Sequence, residues 1–79
     1  MKVHVLYFAS LRERAGRSAS EEEVEAGTTV GQLWESLAGR GPLAGAPVPG
    51  FAVNGTWCAA TRVLRNGDEV GLLPPVSGG

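Results

Sequence analysis

The residues best suited to chemistry in this sequence lie at its C-terminus, where Pro74-Pro75 precedes Val76-Ser77-Gly78-Gly79. The two prolines stiffen the chain, and the two glycines carry no Cβ, so the final residues fit a narrow channel. A terminal glycine also leaves its carbonyl open to attack from either face. The pattern therefore points to chemistry on the Gly79 carboxylate, and the alternative is an inert, frayed tail.

Other reactive side chains carry weaker signals. Cys58 is the single cysteine, and it lacks a positive neighbour in the sequence, which indicates a buried and unreactive thiol. His4 lies inside a predicted strand without a second ligand nearby, so it is expected to face solvent or to form a hydrogen bond. The sequence contains no Gly-x-x-x-x-Gly-Lys phosphate loop and no plausible metal cluster. We therefore expect no cofactor or metal to be bound by this chain.

Length and charge limit the class of protein. The 79 residues suffice for one domain, and seven basic against eight acidic residues give no strong attraction to nucleic acid or anionic membrane. One cysteine excludes a small secreted disulfide scaffold. The segment from Met1 to Phe8 lacks the features of a signal peptide, and no apolar run reaches membrane-spanning length. These features predict a cytoplasmic protein that associates with neither nucleic acid nor membrane.

Two strands and a helical turn are predicted in the first third of the chain. Residues 2–8 alternate, with Val3, Val5 and Tyr7 on one face, which is typical of a central strand. Ser10 is expected to cap a turn of helix that Gly16 ends. Residues 18–24 are acidic and favour an edge strand whose charges face water.

The clearest helix begins at Thr29, which pairs with Gln32 as a capping box. Its apolar face recurs at helical spacing and predicts the core contact of this helix, with Trp34 firmly in the core. Glycine and proline end the helix after residue 38, and residues 39–50 are expected to be a connector without regular structure. The apolar face comprises Val30, Leu33, Trp34 and Leu37.

A hairpin and a final strand complete the predicted domain. Asn54-Gly55 suits a type I′ turn between residues 51–53 and 56–58, and Asn66-Gly67-Asp68 predicts a second turn. Residues 69–73 form the last strand, which the two prolines end. The order predicts a two-layer α+β domain over residues 1–75, with a mixed sheet packed on one main helix, followed by an extended tail over residues 76–79.

Three segments resemble the ubiquitin-like β-grasp sulfur carriers, and within them the MoaD family of molybdopterin synthase small subunits. The likeness spans the whole chain and is most specific at its end, although that family usually has threonine at the position of Ser77 and aromatic residues at those of Leu72 and Leu73. The segments are Phe8-Ala9-Ser10-Leu11-Arg12-Glu13, Ala52-Val53-Asn54, and Gly67-Asp68-Glu69-Val70 running into Pro74-Pro75-Val76-Ser77-Gly78-Gly79.

The resemblance implies that Gly79, supported by Gly78, is adenylated and then thiocarboxylated. ATP would be used by a separate E1-like adenylating enzyme, and the sulfur would be donated in the active site of a larger catalytic subunit to build molybdopterin. That synthase is a heterotetramer of two small and two large subunits. The isolated chain is therefore expected not to be an enzyme. The alternatives are a carrier for thiamine or transfer RNA thiolation, and a non-catalytic β-grasp binding module.

The resemblance also implies a docking surface for both partners near the tail. A reversible interface needs apolar anchors, because the net charge of the chain is nearly zero. Trp57 is equally compatible with core packing, and Arg12 with an exposed surface charge. The residues expected to contact partners are Phe8, Arg12, Trp57, Leu73, Pro75, Val76 and Ser77.

Overall fold

The computed structural model describes residues 1–75, which contain five strands and three helical segments. The elements follow the predicted order, including the short helix between the first two strands, with one 3₁₀ turn added. In chain order they are β1 (Lys2–Tyr7), α1 (Ala9–Ala15), β2 (Ala19–Glu23), α2 (Val30–Ala38), a 3₁₀ turn (Gly41–Leu43), β3 (Gly50–Val53), β4 (Thr56–Cys58) and β5 (Glu69–Leu73).

The sheet is mixed and has the strand order β2-β1-β5-β3-β4. β5 lies in the centre, where it pairs in parallel with β1 and antiparallel with β3. β1 pairs with β2 on its other side, which confirms that it is an interior strand. The last strand of the chain is thus the strand that joins the two halves of the sheet.

One face of the sheet packs on α2. Alternation turns Val3, Val5 and Tyr7 inward, and helical spacing brings the apolar stripe of α2 onto them. Trp34 is 4% exposed, so its predicted core position is confirmed. The buried cluster consists of Val3, Val5, Tyr7, Leu11, Val30, Leu33, Trp34, Leu37, Leu43, Phe51, Val53, Leu64, Val70 and Leu72.

The predicted capping box at the start of α2 is present. The Gln32 N–H donates to Thr29 Oγ1 at 3.2 Å, and the Thr29 N–H donates to Gln32 Oε1 at 2.9 Å. The predicted type I′ hairpin is present as well, with φ values of 51° at Asn54 and 82° at Gly55.

The predicted Ser10 cap of the first helix is wrong. α1 begins two residues earlier than that cap predicts, at Ala9, and Phe8 occupies the cap position without a side-chain hydrogen bond. The Phe8 carbonyl accepts hydrogen bonds from the N–H groups of Leu11 and Arg12, so these groups in the first turn are bonded without a polar cap. Gly16 ends the helix at a φ of 72°, as predicted.

Two further expectations need correction. Residues 39–50 are not wholly irregular, because the 3₁₀ turn places Leu43 in the core at 4% exposed. In β2, Glu21 and Glu23 are exposed, but Glu22 turns toward the helical layer and its side chain is only 14% exposed. Arg40 Nη2 donates to Glu22 Oε1 at 3.2 Å, which compensates this inward charge.

Within residues 1–75, no helix combines the length and the apolar character needed to span a membrane.

Candidate functional site

The C-terminal tail leaves the domain from the middle of the sheet. β5 ends at Leu73, which lies opposite Gly50 of β3, and the Phe8 N–H donates to the Leu72 carbonyl at 3.3 Å. Pro74 and Pro75 therefore emerge between the end of β1 and the start of β3. The predicted reactive and tail residues Val76, Ser77, Gly78 and Gly79 lie outside the described residues.

An apolar patch covers the outer face of the sheet beside this exit. Its six residues come from β1 and its end, β3, β4 and β5, and they line one shallow cavity of about 220 Å³. Phe8 is 42% exposed and Trp57 is 67% exposed, so Trp57 lies on the surface and not in the core. We define the apolar patch as Leu6, Phe8, Ala52, Trp57, Gly71 and Leu73.

The structure thus brings three of the predicted docking residues together. Phe8 and Leu73 pack over Gly71, where a Cβ would lie 3.4 Å from Phe8 Cε2 and 3.5 Å from Leu73 Cδ1. Sequence reasoning missed Leu6, Ala52 and Gly71 as members of this surface. The alternation of β1 and β5 could have identified Leu6 and Gly71, because side chains two residues apart on a strand share a face.

The predicted polar member, Arg12, is exposed on α1 and does not line the apolar patch. Arg14 lies closer to the root of the tail. It lines a cavity of about 420 Å³ together with Ser10, Glu13, Pro74 and Pro75. Pro75, which was expected to contact partners, is therefore beside a groove formed with α1 and is exposed.

The remainder of the outer face is polar. His4 Nδ1 lies 3.6 Å from Glu21 Oε1, and both side chains are more than half exposed, so this pair contributes little to stability. The solvent-facing position predicted for His4 is confirmed. Within the described part of the chain, no group of three or more His, Cys, Asp or Glu side chains is arranged to hold a metal ion.

Cys58 lies next to Trp57 on β4 but points to the other face. It is half-buried and packs against the core cluster. This position agrees with a structural thiol, though the side chain is less deeply buried than the sequence indicated.

Asp68 is the most deeply buried charged residue among residues 1–75, at 8% exposed. It accepts hydrogen bonds from Asn54 Nδ2 at 2.9 Å and from the Arg65 N–H at 2.7 Å. Asn54 Oδ1 in turn accepts from the Glu69 N–H at 2.9 Å. These bonds connect the β3–β4 turn to the start of β5, a link that sequence reasoning missed because it assigned both residues only to turns.

The environment of Asp68 favours its charged form. Burial acts to raise the pKa of Asp68, but the hydrogen bonds from the Arg65 N–H and the Asn54 amide, together with the charges of Arg62 and Arg65, outweigh burial and hold its pKa below the ordinary value. A depressed pKa in the folded state contributes stability that is present above the unfolded pKa and is lost as pH falls through the folded pKa.

We expect Asp68→Asn to lower the free energy of unfolding at pH 7 by about 1–3 kcal/mol, because the Asn54 amide would then face a second amide donor. The loss relative to the native chain should shrink as pH falls below about 4, where the carboxyl of the unfolded chain becomes protonated, and it should disappear below the depressed pKa of the folded carboxyl. Urea unfolding at pH 7 and at pH 3 measures both effects, with Glu25→Gln as an exposed control. An equal loss at the two pH values would contradict the role of the charge.

Comparisons with known proteins bear on this site. The model of the ThiS family matches residues 5–79. A molybdopterin synthase sulfur carrier subunit from Mycobacterium tuberculosis is 39% identical and aligns over 100% of this chain and 99% of its own length. The match therefore includes both the apolar patch and the C-terminal tail.

Two solved structures share the architecture. The small archaeal modifier protein 1 from Haloferax volcanii superimposes with a TM-score of 0.84 at 30% identity, covering 100% of both chains. A chain in the complex of subunits 1 and 2 of the molybdopterin-converting factor from Helicobacter pylori superimposes with a TM-score of 0.71 at 25% identity, again covering 100% of both chains.

The sheet order, the packing on α2 and these full-length matches confirm the expected fold and the resemblance seen in the sequence. This chain belongs to the ThiS family of ubiquitin-like β-grasp proteins.

Proposed function

We propose that this protein is the sulfur carrier subunit of a molybdopterin synthase and that it carries sulfur as a thiocarboxylate on Gly79. The observation that supports this most directly is the position of the apolar patch, which lies beside the strand end from which the Gly-Gly tail leaves. The name of the mycobacterial relative supports the same role. The chain alone is not an enzyme, because the chemistry belongs to the complex that it enters.

Loading of sulfur requires activation of the terminus. A free carboxylate is a poor electrophile, so an oxygen of the Gly79 carboxylate attacks the α-phosphorus of ATP in a separate E1-like adenylating enzyme and pyrophosphate leaves. A sulfur nucleophile then displaces AMP from the acyl-adenylate. The product is a thiocarboxylate at Gly79, and the carrier itself needs no bound cofactor.

Donation of sulfur takes place in the larger subunit. The thiocarboxylate sulfur displaces an oxygen substituent from a substrate carbon, and water then hydrolyses the resulting thioester, which leaves the thiol on the substrate and restores the Gly79 carboxylate. A dithiolene needs two sulfur atoms, which agrees with a synthase of two small and two large subunits. The Helicobacter pylori structure is a complex of the corresponding two subunits, and a reducing compartment such as the cytoplasm fits the single cysteine of this chain.

The fold limits where this chemistry can occur. Four residues follow Pro75, and at full extension they reach about 13 Å. A partner that contacts the apolar patch must therefore place its reacting atoms within about that distance of Pro75. Because the apolar patch lies next to the short tail, contact between the patch and the partner is enough to bring the terminus to the active site.

Intact mass measures the proposed loading. After incubation with an E1-like adenylating enzyme, ATP and a sulfur source, we expect a mass gain that matches one oxygen replaced by one sulfur. Cys58→Ala should show the same gain, because Cys58 is not the sulfur carrier. A gain that matches one added sulfur and disappears in Cys58→Ala would instead indicate a persulfide and would overturn the proposal.

A modifier role is a second candidate, favoured by the likeness to the small archaeal modifier protein 1. In that case a lysine amine of a target protein would displace AMP from the same acyl-adenylate and form an amide bond. Carriers for thiamine or transfer RNA thiolation differ from our proposal only in the partner. Recovery of a molybdopterin synthase large subunit on immobilised carrier supports our proposal, whereas covalent adducts or a thiazole-forming or RNA-thiolating enzyme would favour the alternatives.

A further inference from the structure

Gly50 lies against the edge of the most exposed aromatic side chain of the molecule. A Cβ built on Gly50 would lie 2.8 Å from Cζ3 and 3.6 Å from Cη2 of Trp57. These two atoms belong to the six-membered ring of the indole. The ring therefore occupies the space that any side chain at residue 50 would need.

The glycine is not explained by its backbone conformation. Gly16, Gly55 and Gly67 have positive φ values, but Gly50 does not. Glycine inside a strand lowers the stability of a fold by about 0.5–1 kcal/mol relative to alanine. The contact with the indole therefore accounts for glycine at this position, because the ring fills the space that a side chain would need.

The register shows the direction in which the indole leans. Trp57 lies opposite Ala52, whereas Gly50 is two residues before Ala52 on β3 and lies opposite Leu73. Diagonal neighbours of this kind are within reach of an aromatic side chain. Through this contact, the edge of the ring reaches the last row of the sheet, where β5 ends and the tail begins.

We propose that Gly50 is a positioning residue of the docking surface: it leaves room for the edge of the Trp57 indole beside Leu73, where the large catalytic subunit of the synthase contacts the ring. This inference rests on the proposed function. Trp57 is 67% exposed although it is large and apolar, and tryptophan is enriched among residues that dominate interface energetics. The partner surface it fits is apolar and adjacent to the channel that receives the tail.

The position of the ring can be measured without a partner. The ring current of the indole should shift the resonance of the Gly50 Hα proton that points at the ring edge downfield in the NMR spectrum, and Trp57→Ala should return it to an ordinary value. Gly50→Ala should change the chemical shifts of the Trp57 ring protons and leave thermal unfolding nearly unchanged, because the displaced atoms are the far end of an exposed side chain. Unshifted Gly50 resonances in the native chain would overturn the proposal.

Binding to the large subunit provides the second measurement. We expect Gly50→Ala to raise the Kd for the large subunit by about fivefold or more, because the added methyl group displaces the indole, which is an anchor of the interface. The same substitution in a Trp57→Ala background should have no further effect, since Gly50 acts through the indole. Val48→Ala is a matched control, because Val48 is equally exposed but lines a different cavity with Trp34 and Phe51.

Two results would contradict the inference. An unchanged Kd in Gly50→Ala would show that the ring position is irrelevant to docking, and an equal weakening in both backgrounds would show that Gly50 acts otherwise. Failure of the native chain to bind the large subunit, with its mass gain on sulfur loading intact, would remove the assigned partner. Failure of the mass gain itself would instead count against the proposed function.

Discussion

Deletion of Gly79 is expected to abolish sulfur loading completely while leaving the thermal unfolding of the domain unchanged. The reacting carboxylate would end one residue short of its place in the adenylating enzyme, and a new terminus at Gly78 would not restore the reach of the tail. The fold should persist, because the buried cluster lies entirely between Val3 and Leu72. Intact mass after the loading reaction and a thermal unfolding scan measure the two expectations.

A chain extended by one alanine after Gly79 is the complementary control. It keeps every native residue but buries the Gly79 carbonyl in a peptide bond, so it should also show no mass gain. Loading of either variant at the native level would contradict a reaction at Gly79. The inert binding module predicts a different outcome, since in that hypothesis neither variant alters any activity.

Trp34→Ala is expected to cost about 3–5 kcal/mol of the free energy of unfolding, the range typical of large aromatic truncations in a core. A domain of this size has about 4–12 kcal/mol in total, so the variant would be close to unfolded. The reason is that Trp34 is 4% exposed and packs between α2 and the sheet. Urea unfolding followed by far-ultraviolet circular dichroism measures the loss.

Trp57→Ala is the matched control, because the same side chain is removed from the opposite face of the sheet. Its loss of stability should stay below about 1 kcal/mol, since Trp57 is mostly exposed. Its effect should appear instead in binding to the large subunit. Similar losses of stability in the two variants would mean that the patch is part of the core and not a docking surface.

Elements with strong local signals were predictable from the sequence. The capping box at Thr29 and the Asn54-Gly55 turn depend on residues within a few positions of each other, and both appear as expected. The N-terminus of α1 was not predictable in this way. There the N–H groups of Leu11 and Arg12 donate to the Phe8 carbonyl. Every residue has a backbone carbonyl, so the sequence gives no signal for this interaction.

Non-local contacts account for the other differences. Glu22 was expected to face water with its neighbours, but it lies opposite the buried Val3 on the inner face of the sheet, where it pairs with Arg40, which is distant in the sequence. The link between Asn54 and Asp68 is likewise formed only when two turns meet. Local propensity carries no information about such pairs, because their partners are fixed by the fold.

The candidate site was predictable to a similar extent. The resemblance indicated Phe8, Trp57 and Leu73, and the structure gathers them on one surface. It could not indicate that Gly71 lies beneath Phe8 and Leu73, since that contact requires the register of β1 and β5. Likewise, only the structure shows that Arg14, and not Arg12, lies beside Pro74 and Pro75.

The central position of β5 has a consequence for synthesis of the protein. The ribosome makes β5 after the other four described strands, yet β1 and β3 meet only through it, and Val70 and Leu72 are fully buried. A nascent or prematurely terminated chain that lacks β5 therefore cannot complete its sheet, and it exposes the edges that mark unfolded chains for proteolysis. Only a chain that includes β5 can fold, so a truncated chain without the reactive terminus does not persist in a folded form that could occupy a partner.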